Sequence, residues 1–175
     1  MDESEIPDYT RNWLRAQHGE TLRFRSTASG QVRVLTVARA EGVVTGRRAR
    51  GGKYKEAYLK LRFRDGQDSL LNLNMDATAN EIQVGCPNRY FGRIATHSKD
   101  GHTAFYSGTT LRIVAQDTVL GKWSCRYLGR IGAVAPTAPV AHIPHPTDTV
   151  TAVYISRYEG LVGFTTKRGG LWERQ

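Results

Sequence analysis

Apolar and polar residues alternate along most of this chain. Leu22 and Phe24 are interleaved with Arg23 and Arg25, Leu59, Leu61 and Phe63 with Lys60, Arg62 and Arg64, and Leu71, Leu73 and Met75 with Asn72 and Asn74. A strand turns successive side chains to opposite faces, so a period of two predicts half-buried strands with a basic face toward solvent. Turn residues cut the alternation at short intervals, at Thr27–Gly30, Asp65-Gly66, Cys86-Pro87-Asn88, Ser98–Gly101, Ser107-Gly108 and Lys167–Gly170. About ten short strands result, at the spacing of a barrel or sandwich. Connections this short pair neighbours antiparallel. The expected fold is mainly β: an antiparallel meander forming a curled sheet, a partly closed barrel or a sandwich. One short N-terminal helix, Asp8–Ala16, offers Trp13 and Leu14 to the core. Within this pattern Asp76–Asn80 reads as a connection with room for one helical turn, Gly46–Lys55 as a loop, and Val119–Ile131 as a single strand.

At 175 residues the chain is long enough for one core without staples. Residues 1–8 read as a flexible N-terminal tether and 9–175 as a single β domain. Residues 132–148 hold four of the six prolines. Proline cannot donate to a ladder, so this stretch is expected to be a surface loop.

The formal net charge of +9 raises the question of a polyanionic partner. Much of that charge (Arg23, Arg25, Lys60, Arg62, Arg64, Arg112) falls on alternate positions opposite apolar residues, which describes the solvated face of a sheet. A nucleic-acid surface would also want aromatic side chains on the basic face. Phe24 and Phe63 lie on the apolar one. The stretch Gly46–Lys55 (GRRARGGKYK) is the stronger candidate, with Arg47, Arg48, Arg50, Lys53 and Lys55 placed to grip phosphates. The competing reading of the same stretch is a solvated loop.

Catalytic signatures are missing. No GxSxG, HExxH, Walker A or dinucleotide fingerprint occurs. No catalytic residue, cofactor or metal is assigned, and the chain is not expected to be an enzyme. His142 and His145 form an H-x-x-H in the proline-rich stretch, and His97 and His102 flank a turn. Without a rigid frame and a partnered carboxylate these read as exposed histidines. Cys86 and Cys125 lie outside any CxxC, so they are two buried thiols or one disulfide formed in an oxidising compartment. Tyr154, Tyr158, Phe164 and Trp172 read as core and girdle packing, or as a cleft for sugar or peptide.

The two ends carry a family likeness. Asn12-Trp13-Leu14 with Gly19–Phe24 (GETLRF), and Val153–Ser156 (VYIS) with Tyr158–Phe164 (YEGLVGF) and Gly170–Trp172 (GLW), resemble the opening and closing of small β-rich lipoprotein domains of Gram-negative bacteria. Arg15 stands where that family commonly has proline, and its lipid-bearing cysteine is not in this sequence. The motifs have physical sense. Trp13 can cap an open end of a curled sheet, Glu159-Gly160 can turn the chain between the last strands, and Trp172 can lock the final strand to the first. The resemblance implies an extracytoplasmic protein held at the membrane, in the periplasm or at the outer membrane, with MDESEIPD as its tether. A native start at Met1 would imply the cytoplasm instead. Export would favour a Cys86–Cys125 disulfide. The expected function is a non-enzymatic, membrane-tethered β-domain binding a small ligand, an envelope polymer, an anionic membrane surface or a protein partner. The alternative is a nucleic-acid or polyanion-binding module using residues 46–55.

Overall fold

A computed structural model describes residues 5–47, 51–66, 72–86, 89–96, 113–130, 149–168 and 170–175. After one helical turn, α1 (Asp8–Arg11), come eleven strands among the described residues: β1 (Thr21–Ser26), β2 (Val32–Arg47), β3 (Lys53–Asp65), β4 (Leu73–Ala77), β5 (Glu81–Cys86), β6 (Arg89–Ala95), β7 (Ile113–Leu120), β8 (Trp123–Arg130), β9 (Val150–Ser156), β10 (Gly160–Thr166) and β11 (Gly170–Arg174). They form one curled sheet in the order β6-β5-β4-β3-β2-β1-β11-β10-β9-β8-β7. The mainly β, antiparallel meander expected from the alternation is what forms.

Each ladder joins strands adjacent in sequence except one. β1 pairs with β11, through Phe24↔Arg174, Arg25↔Glu173 and Ser26↔Trp172, which ties the two ends of the chain together. All ladders are antiparallel, so strand direction alternates across the sheet. Eleven alternating strands leave the outermost two, β6 and β7, running the same way. β6 comes alongside β7 and β8, and no ladder among the described residues joins them. The sheet is thus a half-barrel with a seam.

Alternation places the core on the concave side. Leu22 and Phe24, Leu35 and Val37, Leu59, Leu61 and Phe63, Leu73 and Met75, Ile82 and Val84, Phe164 and Trp172 are all at most 3% exposed. Phe24 tilts against Phe164 at 5.1 Å between ring centroids, and Phe164 stacks on Trp172 at 6.0 Å. Burial of each large side chain contributes about 1.5–3 kcal/mol.

The N-terminal segment plugs one end of the curl. Ile6, Trp13 and Leu14 are buried. The Thr10 hydroxyl donates to the Ala79 carbonyl at 2.9 Å and lies 2.6 Å from the Thr96 hydroxyl. Near the other end, Arg33 pairs with the buried Asp65 at 2.8 Å and lies 4.8 Å from the Trp172 ring centroid.

Several expectations need correction. The helix ends at Arg11 rather than Ala16, because Trp13 and Leu14 leave it to enter the core. The domain starts before residue 9, since Ile6 is buried and the Pro7 carbonyl accepts from the Thr10 and Arg11 amides. Part of Gly46–Lys55 is ladder rather than loop: Gly46, Arg47 and Lys53–Lys55 belong to strands, and residues 48–50 lie outside the described residues. Asp76 and Ala77 end β4, and the Thr78 amide closes a tight turn on the Glu81 carbonyl. Val119–Ile131 contains a hairpin turn at Gly121, whose φ of +54° suits glycine. The tight turn expected at Gly160 is present, with φ +70°. Residues 1–4 and 132–148 lie outside the described residues.

Candidate functional site

β2 and β3 outrun their neighbours. β1 pairs with β2 only over Val32–Thr36, and β4 with β3 only over Leu59–Phe63. The β2–β3 ladder continues to Arg47↔Lys53. Its last six pairs, from Gly42↔Tyr58 outward, make a two-stranded arm. At about 3.3 Å per residue the arm is roughly 20 Å long.

Residues directly opposite in a ladder share a face, so register sorts the arm's side chains. The face continuous with buried Leu59 carries Val43/Ala57, Thr45/Lys55 and Arg47/Lys53. The other carries Gly42/Tyr58, Val44/Glu56 and Gly46/Tyr54. Three cations therefore stand together at the arm's end, all exposed: Arg47, Lys53 and Lys55. No ion pair among the described residues involves them. Several arginines elsewhere are paired with acids. Arg62 pairs with Asp76, Arg93 with Glu81, Arg126 with Asp117, and Arg11 and Arg39 with Glu41. The sequence reading thus located a basic cluster and misjudged its form. Arg48 and Arg50, like Arg112, lie outside the described residues.

On the opposite face, Tyr54 belongs to the stretch that the sequence singles out, whereas Tyr58 and the seating of both rings over glycines were missed. The outer half of the Tyr54 ring covers Gly46, and the Tyr58 hydroxyl lies 3.0 Å from where a Cβ on Gly42 would sit. Glycine lets a cross-strand ring settle over its backbone. Lys60 Nζ is 5.2 Å from the Tyr58 ring centroid. The available signal was two glycines four apart and two tyrosines four apart on either side of a glycine-rich turn.

Other candidates resolve into structure. A cleft of about 310 Å³ is lined by Arg11, Asn12, Leu14, Arg15, Gln17 and Arg39. Arg39 donates to the Leu14 and Ala16 carbonyls and to Glu41, and Arg11 donates to the Ile6 carbonyl and to Glu41. Partial burial alone would push the Glu41 carboxyl up, but the two guanidiniums outweigh it and hold the group below its ordinary range. These bonds anchor the N-terminal plug.

Cys86 packs in the main core, whereas Cys125 joins a second cluster with Leu120 and Val162, flanked by Trp123, Tyr154 and Leu171. In the structure Cys86 and Cys125 are not bonded to each other: both are buried, and they belong to separate clusters. Burial pushes the Cys125 thiol up, which makes it a poor nucleophile. Tyr154 lies 5.2 Å from Tyr127, and burial raises both phenols. Phe164 and Trp172 are core, and Tyr158 is exposed, so the four C-terminal aromatics line no common cleft.

The two family-like ends meet. A Cβ on Gly160 would lie 3.5 Å from the Trp13 carbonyl, and Arg174 donates to the Glu159 carbonyl at 2.7 Å. Trp172 faces Ser26 across the β1–β11 ladder. These motifs build a joint. His97, His102, His142 and His145 lie outside the described residues, among which no three His, Cys, Asp or Glu gather as a metal site. No helix among the described residues is long and apolar enough to cross a membrane. Compared with known proteins, the chain matches no protein-family model, no curated protein and no solved structure.

Proposed function

We propose that this domain is a non-enzymatic binding module that holds a polyanionic polymer on its β2–β3 arm. The observation that carries this is the trio Arg47, Lys53 and Lys55, which share one exposed face of a projecting ribbon and have no acidic partner among the described residues. Cations left unpaired at the end of an arm cost little while solvated, and gain by releasing counterions from a polymer of phosphates or carboxylates. A packed concave side argues against a small ligand held inside the curl.

Salt dependence tests the reading. Binding of labelled polyanions should be tightest at low salt, and charge reversal of Arg47, Lys53 and Lys55 should abolish it while leaving the melting temperature within a few degrees. Charge neutralisation should flatten the plot of log affinity against log salt by about 2–3, at 0.7–0.9 for each phosphate no longer neutralised. Failure of every polyanion to bind at low salt sinks the proposal.

A second reading is supported by the joint between the two end motifs, the segments that resemble lipoprotein domains, which meet in one structural unit. On that reading the domain is exported and membrane-tethered, and its polyanion is an envelope polymer or an anionic membrane surface. Fractionation of cells expressing the native gene checks the setting. Recovery with the envelope is expected, and recovery in the cytosol counts against it.

A further inference from the structure

We infer that the polymer held by the arm is a single-stranded nucleic acid whose bases stack on Tyr54 and Tyr58. The inference rests on the polyanion reading above and adds the class of ligand.

The outward face of β3 carries Tyr54, Glu56, Tyr58, Lys60, Arg62 and Arg64 in turn. Facing them on β2 are Gly46, Val44, Gly42, Ala40, Ala38 and Thr36. The tall side chains of this face therefore all come from β3, over a floor of small residues on β2. Tyr54 leans across Gly46 and Tyr58 across Gly42, places where a side chain on β2 would collide with the ring. Both tyrosines nevertheless stay only half-buried. Each is thus supported from below by backbone while offering surface to solvent. Four residues of strand separate them, about 13 Å.

Positive charge continues along the same face. Lys60 lies beside Tyr58, and the exposed Arg64 follows. Arg62 is engaged by Asp76. Beyond Tyr54 the ribbon ends in the pair Arg47 and Lys53, which with Lys55 lie on its other face. Aromatic platforms set within a cationic track are the recurring means of holding single strands without reading their sequence, because every base has a π-face. A polyphosphate or an acidic polysaccharide would satisfy the cations and leave the tyrosines unused. A duplex keeps its base faces stacked on one another. Glu56 sits between the two tyrosines and repels phosphate.

Anisotropy titration of a labelled oligothymidylate at low salt tests this, with a heparin fragment, polyphosphate and a DNA duplex of matched charge as competitors. Oligothymidylate should bind most tightly. Tyr54→Ala and Tyr58→Ala should each weaken it tenfold or more, whereas Tyr54→Phe and Tyr58→Phe, which keep the ring, should bind as the parent does. Glu56→Gln should tighten it. Thermal melting of each variant separates lost stacking from lost fold, and the Phe variants keep the comparison decisive if an Ala variant melts early. Three outcomes overturn the inference while leaving the polyanion reading standing: competitors that bind as well as the oligonucleotide, folded Ala variants at parental affinity, or Phe variants as weak as Ala. Absence of binding by all four polymers overturns both.

Discussion

Glu41 shows how much of this protein's charge is structural. Its carboxylate takes Arg11 at 3.0 Å and Arg39 at 3.2 Å, and Arg39 in turn holds the carbonyls of Leu14 and Ala16. One acid thus ties the N-terminal plug to β2. The two guanidiniums hold the folded carboxyl below its unfolded value. Stability from such a group is complete above the unfolded value, near 4.3, and is lost as pH falls through the folded one. Glu41→Gln should therefore melt below the parent at neutral pH, and the gap should close as pH falls below the unfolded value and through the lowered folded one. A gap that stays constant from neutral to acid would show that the pairing contributes no pH-dependent stability. The side chain is 47% exposed, so the neutral-pH gap should be modest. At this scale the sequence was readable where alternation decides the answer. Leu59, Leu61 and Phe63 point inward and Lys60 and Arg64 outward, as expected. Which acid meets which arginine was not readable, because partners such as Arg11 and Glu41 are brought together by the fold, 30 positions apart.

The arm shows how an element can hide in a polar sequence. GRRARGGKYK lacks the apolar half of a strand's alternation, so it reads as a loop. A two-stranded ribbon clear of the core has no face to bury, and its ladder needs only backbone. The β2–β3 register therefore runs on to Arg47↔Lys53 while side-chain burial stops at Ala57. The converse error occurred at Val119–Ile131, where apolar residues on both sides of Gly121 masked a turn. If the arm is an appendage, it can be removed. Replacing residues 44–56 with an Asn-Gly turn, which suits a two-residue hairpin, keeps buried Ala57 and its partner Val43. The shortened protein should melt within a few degrees of the parent and bind no polyanion. Retained binding would move the site off the arm. A large loss of stability would make the arm part of the folding unit.

At the scale of the molecule, parity and closure set the distribution of stability. Short connections between sequential strands were expected to give antiparallel neighbours, and the meander follows. The pairing of β1 with β11 was hinted at by the two end motifs, and no local pattern states it. Once β1 and β11 pair, eleven alternating strands must finish with β6 and β7 parallel. An antiparallel ladder cannot close that seam, so each of these strands keeps one side without a sheet partner among the described residues. The strands flanking the β1–β11 joint are different. They have ladders on both sides and bury Phe24, Phe164 and Trp172 against one another. Local opening costs least where backbone bonds face solvent and few apolar contacts must be broken. Amide hydrogen exchange should therefore be slowest in β1, β10 and β11, and fastest among the strands in β6 and β7 and along the outer arm. Protection in β6 and β7 equal to that in β1 would mean that the ring is closed by a partner to the seam, and the half-barrel would then be the wrong description of the molecule in solution.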